Sequence, residues 1–292
     1  MKKLVRKMLP FFGDHVFNWV SYAYLHLKYG FIPPTLNLRE PKGLNDKIIW
    51  LKINYRHENA GLFADKVKVK NYIRETIGSQ FIIETLGIYK KWEEVNFDQL
   101  PESFVLKANH GSGWNIMVRN KNELDFENTF KIVSEWTKEN YYWKSREYQY
   151  KNISPRILVE RFLINKDGSE LRDYKFFCFN GEPKVVQVDV DRHTLHKRNF
   201  YDLSWNRLHF ISLYPSFDGE IKKPATFNKM VSIARKLSVG FPFLRVDLYE
   251  SNNKIFFGEL TFHHGCGFEP IIPREWDLRL GSYLDLPEKN TK

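Results

Sequence analysis

A glycine-rich turn set between two short strands constrains this chain more than any other feature. Phe104-Val105-Leu106-Lys107 and Asn115-Ile116-Met117-Val118 read as strands, and Asn109-His110-Gly111-Ser112-Gly113-Trp114 joins them. Dinucleotide-binding and Walker loops run from a strand into a helix, and the Walker loop requires Gly-Lys-Ser/Thr, which is absent. A glycine-rich turn between strands instead forms a flap whose backbone amides cover phosphates. Lys107, on the entering strand, would reach such a phosphate as a point charge; otherwise it is a solvated lysine before an ordinary hairpin.

Around this turn the pattern is α+β. Residues 1–60 read as helical and aromatic, broken near Pro33-Pro34 and Glu40-Pro41-Lys42-Gly43, and Asp65 to Ile77 as a helix stopped by Gly78. Phe81 to Leu86 reads as a strand, and Phe126 to Tyr142 as a helix. Strands are expected at Arg156–Phe162, Asp173–Phe179 and Pro183–Val190, the last two joined by Asn180-Gly181. A charged loop is expected over Asp191 to Arg198 and a helix over Ala225 to Leu237. A final hairpin pairs Phe243–Tyr249 with Lys254–Leu260. Antiparallel sheets in two lobes, meeting near Leu158–Leu163, fit this order. The implied divisions are a mainly helical region with a short strand over 1–100, a flap-bearing lobe over 101–162 and a second lobe over 163–292.

The final hairpin carries the strongest constellation. Alternation puts Arg245 and Asp247 on one face of the first strand, and Glu259 and Thr261 on one face of its partner. If register joins the faces, two carboxylates converge beside a guanidinium, a donor set suited to Mg²⁺. The competing account is a cross-strand salt bridge from Arg245 to one acid, which leaves the other acid's charge unmatched. Asp173, Lys175 and Phe177 share a face of another strand, where a lysine turned toward a nucleotide flap would serve as a phosphate ligand. Glu160 ends an apolar strand, so it either accepts hydrogen bonds from adenine or ribose or pairs with Arg161.

Composition narrows the partners. Lys and Arg number 45 against 35 Asp and Glu, a formal charge of +10, which suits anionic ligands without choosing among them. The basic charge is spread along the chain without a dense run, so nucleic acid is not an expected partner. Two cysteines outside CxxC spacing argue against a disulfide framework and a zinc site, and for a reducing compartment. The opening Met1-Lys2-Lys3-Leu4-Val5-Arg6-Lys7 is basic, but Asp14, His15 and Asn18 break the apolar run expected of a signal peptide. The segment reads either as a helix packed on the body or as a basic amphipathic element on a membrane surface. The expected location is cytoplasmic, with the inner membrane face included.

The ordered set FVLKANHGSGWN, ILVERFL, DYKFFCFNGEP, FLRVDLYE and FGELTF resembles the ATP-grasp superfamily, and more closely the TupA-like branch found in polysaccharide loci. Leu44-Asn45-Asp46-Lys47 and Ala64-Asp65-Lys66 are similar to that branch too. The resemblance implies an ATP-grasp fold, two α+β lobes sandwiching ATP with a helical N-terminal region, and a ligase that forms a carbon–nitrogen bond and releases ADP. It implies ATP and Mg²⁺ as cofactors. Nucleotide contacts would come from Lys107, Asn109, Gly111, Ser112, Gly113, Glu160 and Lys175, catalysis from Arg245 and Lys175, and metal ligation from Asp247 and Glu259. Where many members carry Asn as a further ligand, this chain has Thr261.

The substrates are read less directly. Arg192, in the basic loop after the active lobe, would bind an acidic acceptor bidentately and is included among the catalytic candidates. The expected partners are an acidic glycan or other carboxylate and an amine such as an amino acid. His263-His264 fits a metal site, a substrate contact or a structural turn. The rival functions are a kinase or glycosyltransferase, for which Asp189-Val190-Asp191 supplies only the letters, and a non-enzymatic anion or nucleic-acid binder.

Overall fold

The computed structural model describes residues 12–166, 171–190 and 195–291. Four helices come first: α1 (Asp14–Lys28), α2 (Leu44–Asn54), α3 (Ala60–Ala64) and α4 (Val69–Thr76). Asp65 explains why the helix expected from residue 65 starts late. Its Oδ1 accepts from the Val67 and Lys68 amides in a side-chain turn, which competes with helix until Val69.

The first sheet is antiparallel, in the order β1-β4-β2-β3, from β1 (Thr85–Tyr89), β2 (Phe104–Ala108), β3 (Asn115–Val118) and β4 (Ile157–Arg161). The expected strand over Phe81 to Leu86 is displaced. Phe81 closes a short 3-10 turn and packs into the core, and the strand begins at Thr85. β1 precedes residue 101 and yet is an edge of this sheet, so the first lobe reaches back into the region expected to be mainly helical. Helix α5 (Phe126–Lys138) covers one face, where Val133 and Trp136 meet Phe104, Leu106, Ala108, Ile157 and Val159. Because β2 alternates, burying Phe104, Leu106 and Ala108 turns Lys107 to the opposite face. A one-turn helix, α6 (Tyr142–Ser145), follows α5, where a single helix to Tyr142 was expected.

The second sheet runs β11-β10-β5-β6-β7-β8, all antiparallel. Its strands are β5 (Arg172–Phe179), β6 (Glu182–Val190), β7 (Lys197–Tyr201), β8 (Arg207–Leu208), β10 (Phe243–Ser251) and β11 (Lys254–Thr261), while β9 (Ile211–Ser212) pairs with β12 (Ile271–Ile272). Both tight hairpins turn on two residues at positive φ, Asn180-Gly181 and Asn252-Asn253, the conformation that matches strand twist. Helix α7 (Phe227–Ser238) lays Met230, Ile233, Ala234 and Leu237 against Tyr174, Phe176, Val186, Leu244 and Val246. The opposite face divides in two. Phe177, Phe179, Val185 and Phe243 pack against α2 and α8 (Arg274–Ser282), and the remainder carries charge. Lys197 and Arg198, expected in a loop, belong to β7.

Candidate active site

On the first sheet, Lys107 on β2 places its Nζ 2.7 Å from Glu160 Oε2, while Lys70 of α4 reaches Glu160 Oε1. Glu160 is buried. Burial would raise its pKa, but Lys107 and Lys70 outweigh that cost and hold it below the usual carboxylate range. Arg161, the alternative partner, turns outward to Glu84 at the surface. Lys66, Lys70, Ile82, Ile83, Lys107, Glu160, Phe257 and Gly258 line one cleft, with residues from both lobes.

The flap closes where Lys107 faces Asn115 and the Ala108 amide donates to Trp114 O. Gly113 has φ of +73°, and a Cβ at Gly111 would collide with the Trp114 ring, so both positions require glycine. Ser112 and Gly113 are exposed at the tip. Asn109 is a strut whose side chain is turned inward: it donates to Asp65 Oδ1 and Ser154 O and accepts from the Arg156 amide at 2.7 Å. Lys66 donates to Gly111 O and lies 3.9 Å from Glu259 Oε2, so it spans from the flap to the other lobe.

On the second sheet, register places Asp247 opposite Glu259 on one side and opposite Lys175 on the other. Arg245 grips Asp247 bidentately, Nε to Oδ1 and Nη2 to Oδ2, each at 2.7 Å, and its Nη2 also donates to Glu259 Oε1 at 3.2 Å. Thr261 Oγ1 lies 3.3 Å from the same Glu259 oxygen. Burial would raise the Glu259 pKa, and Lys66 and Arg245 together reverse it. Lys175 contacts Asp173, lies 3.0 Å from Asp189 and 3.9 Å from Asp247.

The network continues through His264, Asp189 and Arg198, which the sequence offered in other settings, and through Glu269, which it did not single out. Arg245 Nη1 donates to His264 Nδ1 at 2.9 Å, and His264 Nε2 lies 3.4 Å from Glu269 Oε2. Burial lowers the His264 pKa, which keeps the ring neutral and able to accept from arginine. Glu269 meets Arg198 at 2.9 Å, and Arg198 Nε donates to Asp189 at 2.7 Å. Burial would raise both carboxyls, but the His264 N–H and the Arg198 charge hold Glu269 well below the ordinary range, and a hydrogen bond from His196 with the charges of Lys175 and Arg198 does the same for Asp189. Asp247, Arg245, His264, Glu269, Arg198, Asp189 and Lys175 thus form a closed circuit of ion pairs and hydrogen bonds. Asp189 is committed to this circuit, while Asp191 and Arg192 lie outside the described residues. His263 is separate, 3.4 Å from Glu147.

The donor set fits a divalent cation in one respect. Two carboxylates from facing strands converge on one point, taken here by Arg245 Nη2. Among the described residues no three His, Cys, Asp or Glu side chains form a complete cage. Mg²⁺ suits such a half-built site, since it keeps waters and phosphate oxygens in its shell.

The sequence profile of the TupA-like ATP-grasp family matches residues 46–285, a span containing both charged clusters and the flap. The chain belongs to the TupA-like ATP-grasp family. Similar solved structures include the D-alanine–D-alanine ligase of Bacillus anthracis, 17% identical with a TM-score of 0.44, covering 69% of this chain and 57% of that one. The D-alanine–D-alanine ligase of Helicobacter pylori is 14% identical with a TM-score of 0.40, covering 84% and 70%. A RimK domain ATP-grasp protein of Sphaerobacter thermophilus is 11% identical with a TM-score of 0.39, covering 77% and 69%. This TupA-like chain therefore spans little more than half the length of the Bacillus enzyme. Its family membership rests on the sequence profile and not on these distant likenesses. No curated protein matches it.

Lys66 and Lys70 join Lys107 and Glu160 in lining the cleft, and Arg198, His264 and Glu269 complete the network around Arg245. Lys66 had a signal in Ala64-Asp65-Lys66, and His264 in the histidine pair. Glu269 had none, because its partners Arg198 and His264 are set by tertiary packing.

Proposed function

We propose that this TupA-like ATP-grasp chain is an ATP- and Mg²⁺-dependent ligase that joins a carboxylate to an amine through an acyl phosphate. The observation that carries the reading is the opposition of two charged clusters that Lys66 joins: Lys66, Lys70 and Lys107 beside Glu160 in one cleft, and, 3.9 Å from Lys66, Glu259 converging with Asp247 on Arg245. Lysines offer point charges to phosphate oxygens, and paired acids offer oxygens to a cation. Asp247 and Glu259 would hold Mg²⁺, which when bound neutralises charge on the β- and γ-phosphates.

In this reading a carboxylate oxygen attacks the γ-phosphorus, the bond to the β-phosphate oxygen breaks, and ADP leaves. Lys175 and Arg245, both beside Asp247, would offset negative charge on the transferred group and on the tetrahedral adduct that follows. A neutral amine then attacks the acyl carbon, phosphate departs, and the amine loses a proton. For Arg245 to do this it must loosen its grip on Asp247 and Glu259, which is favourable only once another cation replaces it there.

The expected carboxylate is an acidic cell-surface or capsular polysaccharide or its precursor, such as a uronic acid, with an amino acid as the amine. The charge of +10 and the candidate acceptor residue Arg192 support an anionic acceptor. The test supplies ATP with uronic-acid glycans and amino acids in pairs, the carboxylate oxygens labelled. ADP and labelled phosphate should appear in step with a new amide. AMP, or label confined to amide and water, overturns the acyl-phosphate route.

A further inference from the structure

Helix α1 presents two apolar faces where a surface helix needs one. Phe17, Tyr22 and His26 point inward, with Phe17 and Tyr22 packed beside Ile49 of α2 and Phe268. Val16, Trp19, Val20, Ala23 and Leu27 follow the spacing i, i+3, i+4, i+7, i+11 and so form a second stripe on the other side. That stripe is open to solvent: Trp19 is 60% exposed, Leu27 64% and Val16 47%. Phe12, one turn earlier, and Ile32, just beyond the helix, extend the exposed apolar patch. Large apolar residues scattered singly need no explanation, but a continuous stripe of them does.

The polar surroundings say what the stripe meets. His15, Arg39 and Lys289 line the groove beside Val16 and Trp19, and Lys28 ends the helix. Asp14, the helix's one acid, turns toward Arg146 at 3.5 Å. In the sequence immediately before come Lys2, Lys3, Arg6 and Lys7. A second copy of the chain seated here would bring these like charges together, whereas a bilayer carrying anionic headgroups would neutralise them. No helix among the described residues is long and apolar enough to cross a membrane.

We propose that α1 lies in the interface of an anionic lipid bilayer, with Val16, Trp19 and Leu27 among the headgroups and the surrounding basic residues on the phosphates. An aromatic at headgroup depth with flanking lysines and arginines is the usual chemistry of such helices. The proposal is independent of the ligase reading, since no residue of the cleft takes part.

The experiment is co-sedimentation of the full chain with vesicles of phosphatidylcholine alone or mixed with phosphatidylglycerol, alongside analytical ultracentrifugation without lipid. The chain should sediment with the mixed vesicles, bind neutral ones at least about ten-fold more weakly, and lose affinity as salt rises. Trp19→Glu with Leu27→Glu should reduce binding to the mixed vesicles about ten-fold or more. Because both side chains are exposed, the variant should keep its circular dichroism and melting temperature. Replacing Lys2, Lys3, Arg6 and Lys7 by Gln should weaken binding and flatten the salt dependence. Equal binding to both vesicle types, unchanged binding of the Glu variant, or a lipid-free dimer that the Glu variant dissociates would each overturn the proposal.

Discussion

The two charged walls that Lys66 joins solve the problem of buried charge in opposite ways. On the first-sheet side, among the described residues, the cations Lys66, Lys70 and Lys107 outnumber the acids Glu160 and Asp65. Around the second sheet, among the described residues, the acids Asp173, Asp189, Asp247, Glu259 and Glu269 outnumber the cations Lys175, Arg198 and Arg245. Burying unmatched charge costs several kcal/mol per ion, so neither excess exists to stabilise the fold. One wall suits an anion and the other a cation, and a metal–polyphosphate answers both.

The largest expected effect tests the anionic wall. Asp247→Asn and Glu259→Gln should each lower ligase turnover by about a thousand-fold or more, since each removes half of the candidate cation site. Circular dichroism should show both variants folded, because the substitutions are isosteric and the apolar face packed on α7 is untouched. Near-normal Mg²⁺-dependent turnover in both variants would break the contrast between the walls.

A step smaller is the cost of opening the circuit where no ligand is expected. Arg198 is fully committed to Asp189, Glu269 and the Ser212 carbonyl. Arg198→Met leaves two buried carboxylates facing one cation fewer and should cost about 3–5 kcal/mol, read as a fall in denaturant midpoint. A change below about 1 kcal/mol would mean that the circuit is solvated and not structural.

Acid should then separate the walls. Asp189, Glu259 and Glu269 are held below their ordinary values, with Asp247 alone pushed up by burial to about 6, whereas the first-sheet cluster has Glu160 alone held down. A depressed native pKa means that the unfolded chain binds more protons, so stability is present above the unfolded value and lost as pH falls through the native one. Below about pH 4.5 the second sheet should therefore weaken first, visible as earlier loss of hydrogen-exchange protection in β6, β10 and β11 than in β2 and β4. Simultaneous loss would show that the charge asymmetry has no thermodynamic consequence.

What the sequence disclosed follows the range of each interaction. Alternation alone placed Arg245 with Asp247 and Glu259 with Thr261, because period two is a property of a single strand. The hairpin turn at Asn180-Gly181 was equally legible. Local competition hid the start of α4, where the Asp65 side chain displaces helix. Distance in sequence hid the rest: β1 joins β4 across about seventy residues, and Glu269 meets Arg198 across a similar gap. Asn109 carries a contact the sequence could not show, for a third reason. An amide beside a glycine flap looks like a ligand contact, yet its donors and acceptor are consumed by Asp65, Ser154 and Arg156.

The smallest effect bears on what Glu160 does for the cationic wall. Both its oxygens are engaged by lysines, and a carboxylate retains further lone pairs for a nucleotide hydroxyl or amine. If it serves only as a counter-ion, Glu160→Gln frees Lys70 and Lys107 and should tighten ATP binding by about two- to five-fold, the worth of a partly screened charge. If it also accepts from adenine or ribose, the loss of one acceptor should weaken binding by a similar factor. Lys107→Ala supplies the reference, weakening ATP binding by about ten-fold through loss of a phosphate contact. Titrating wild type and both variants with ATP, and then with inorganic triphosphate, separates the accounts. Triphosphate lacks base and sugar, so Glu160→Gln should tighten it under either account, while only the counter-ion account tightens ATP as well. Unchanged affinity for both ligands in both variants would remove this wall from nucleotide binding altogether.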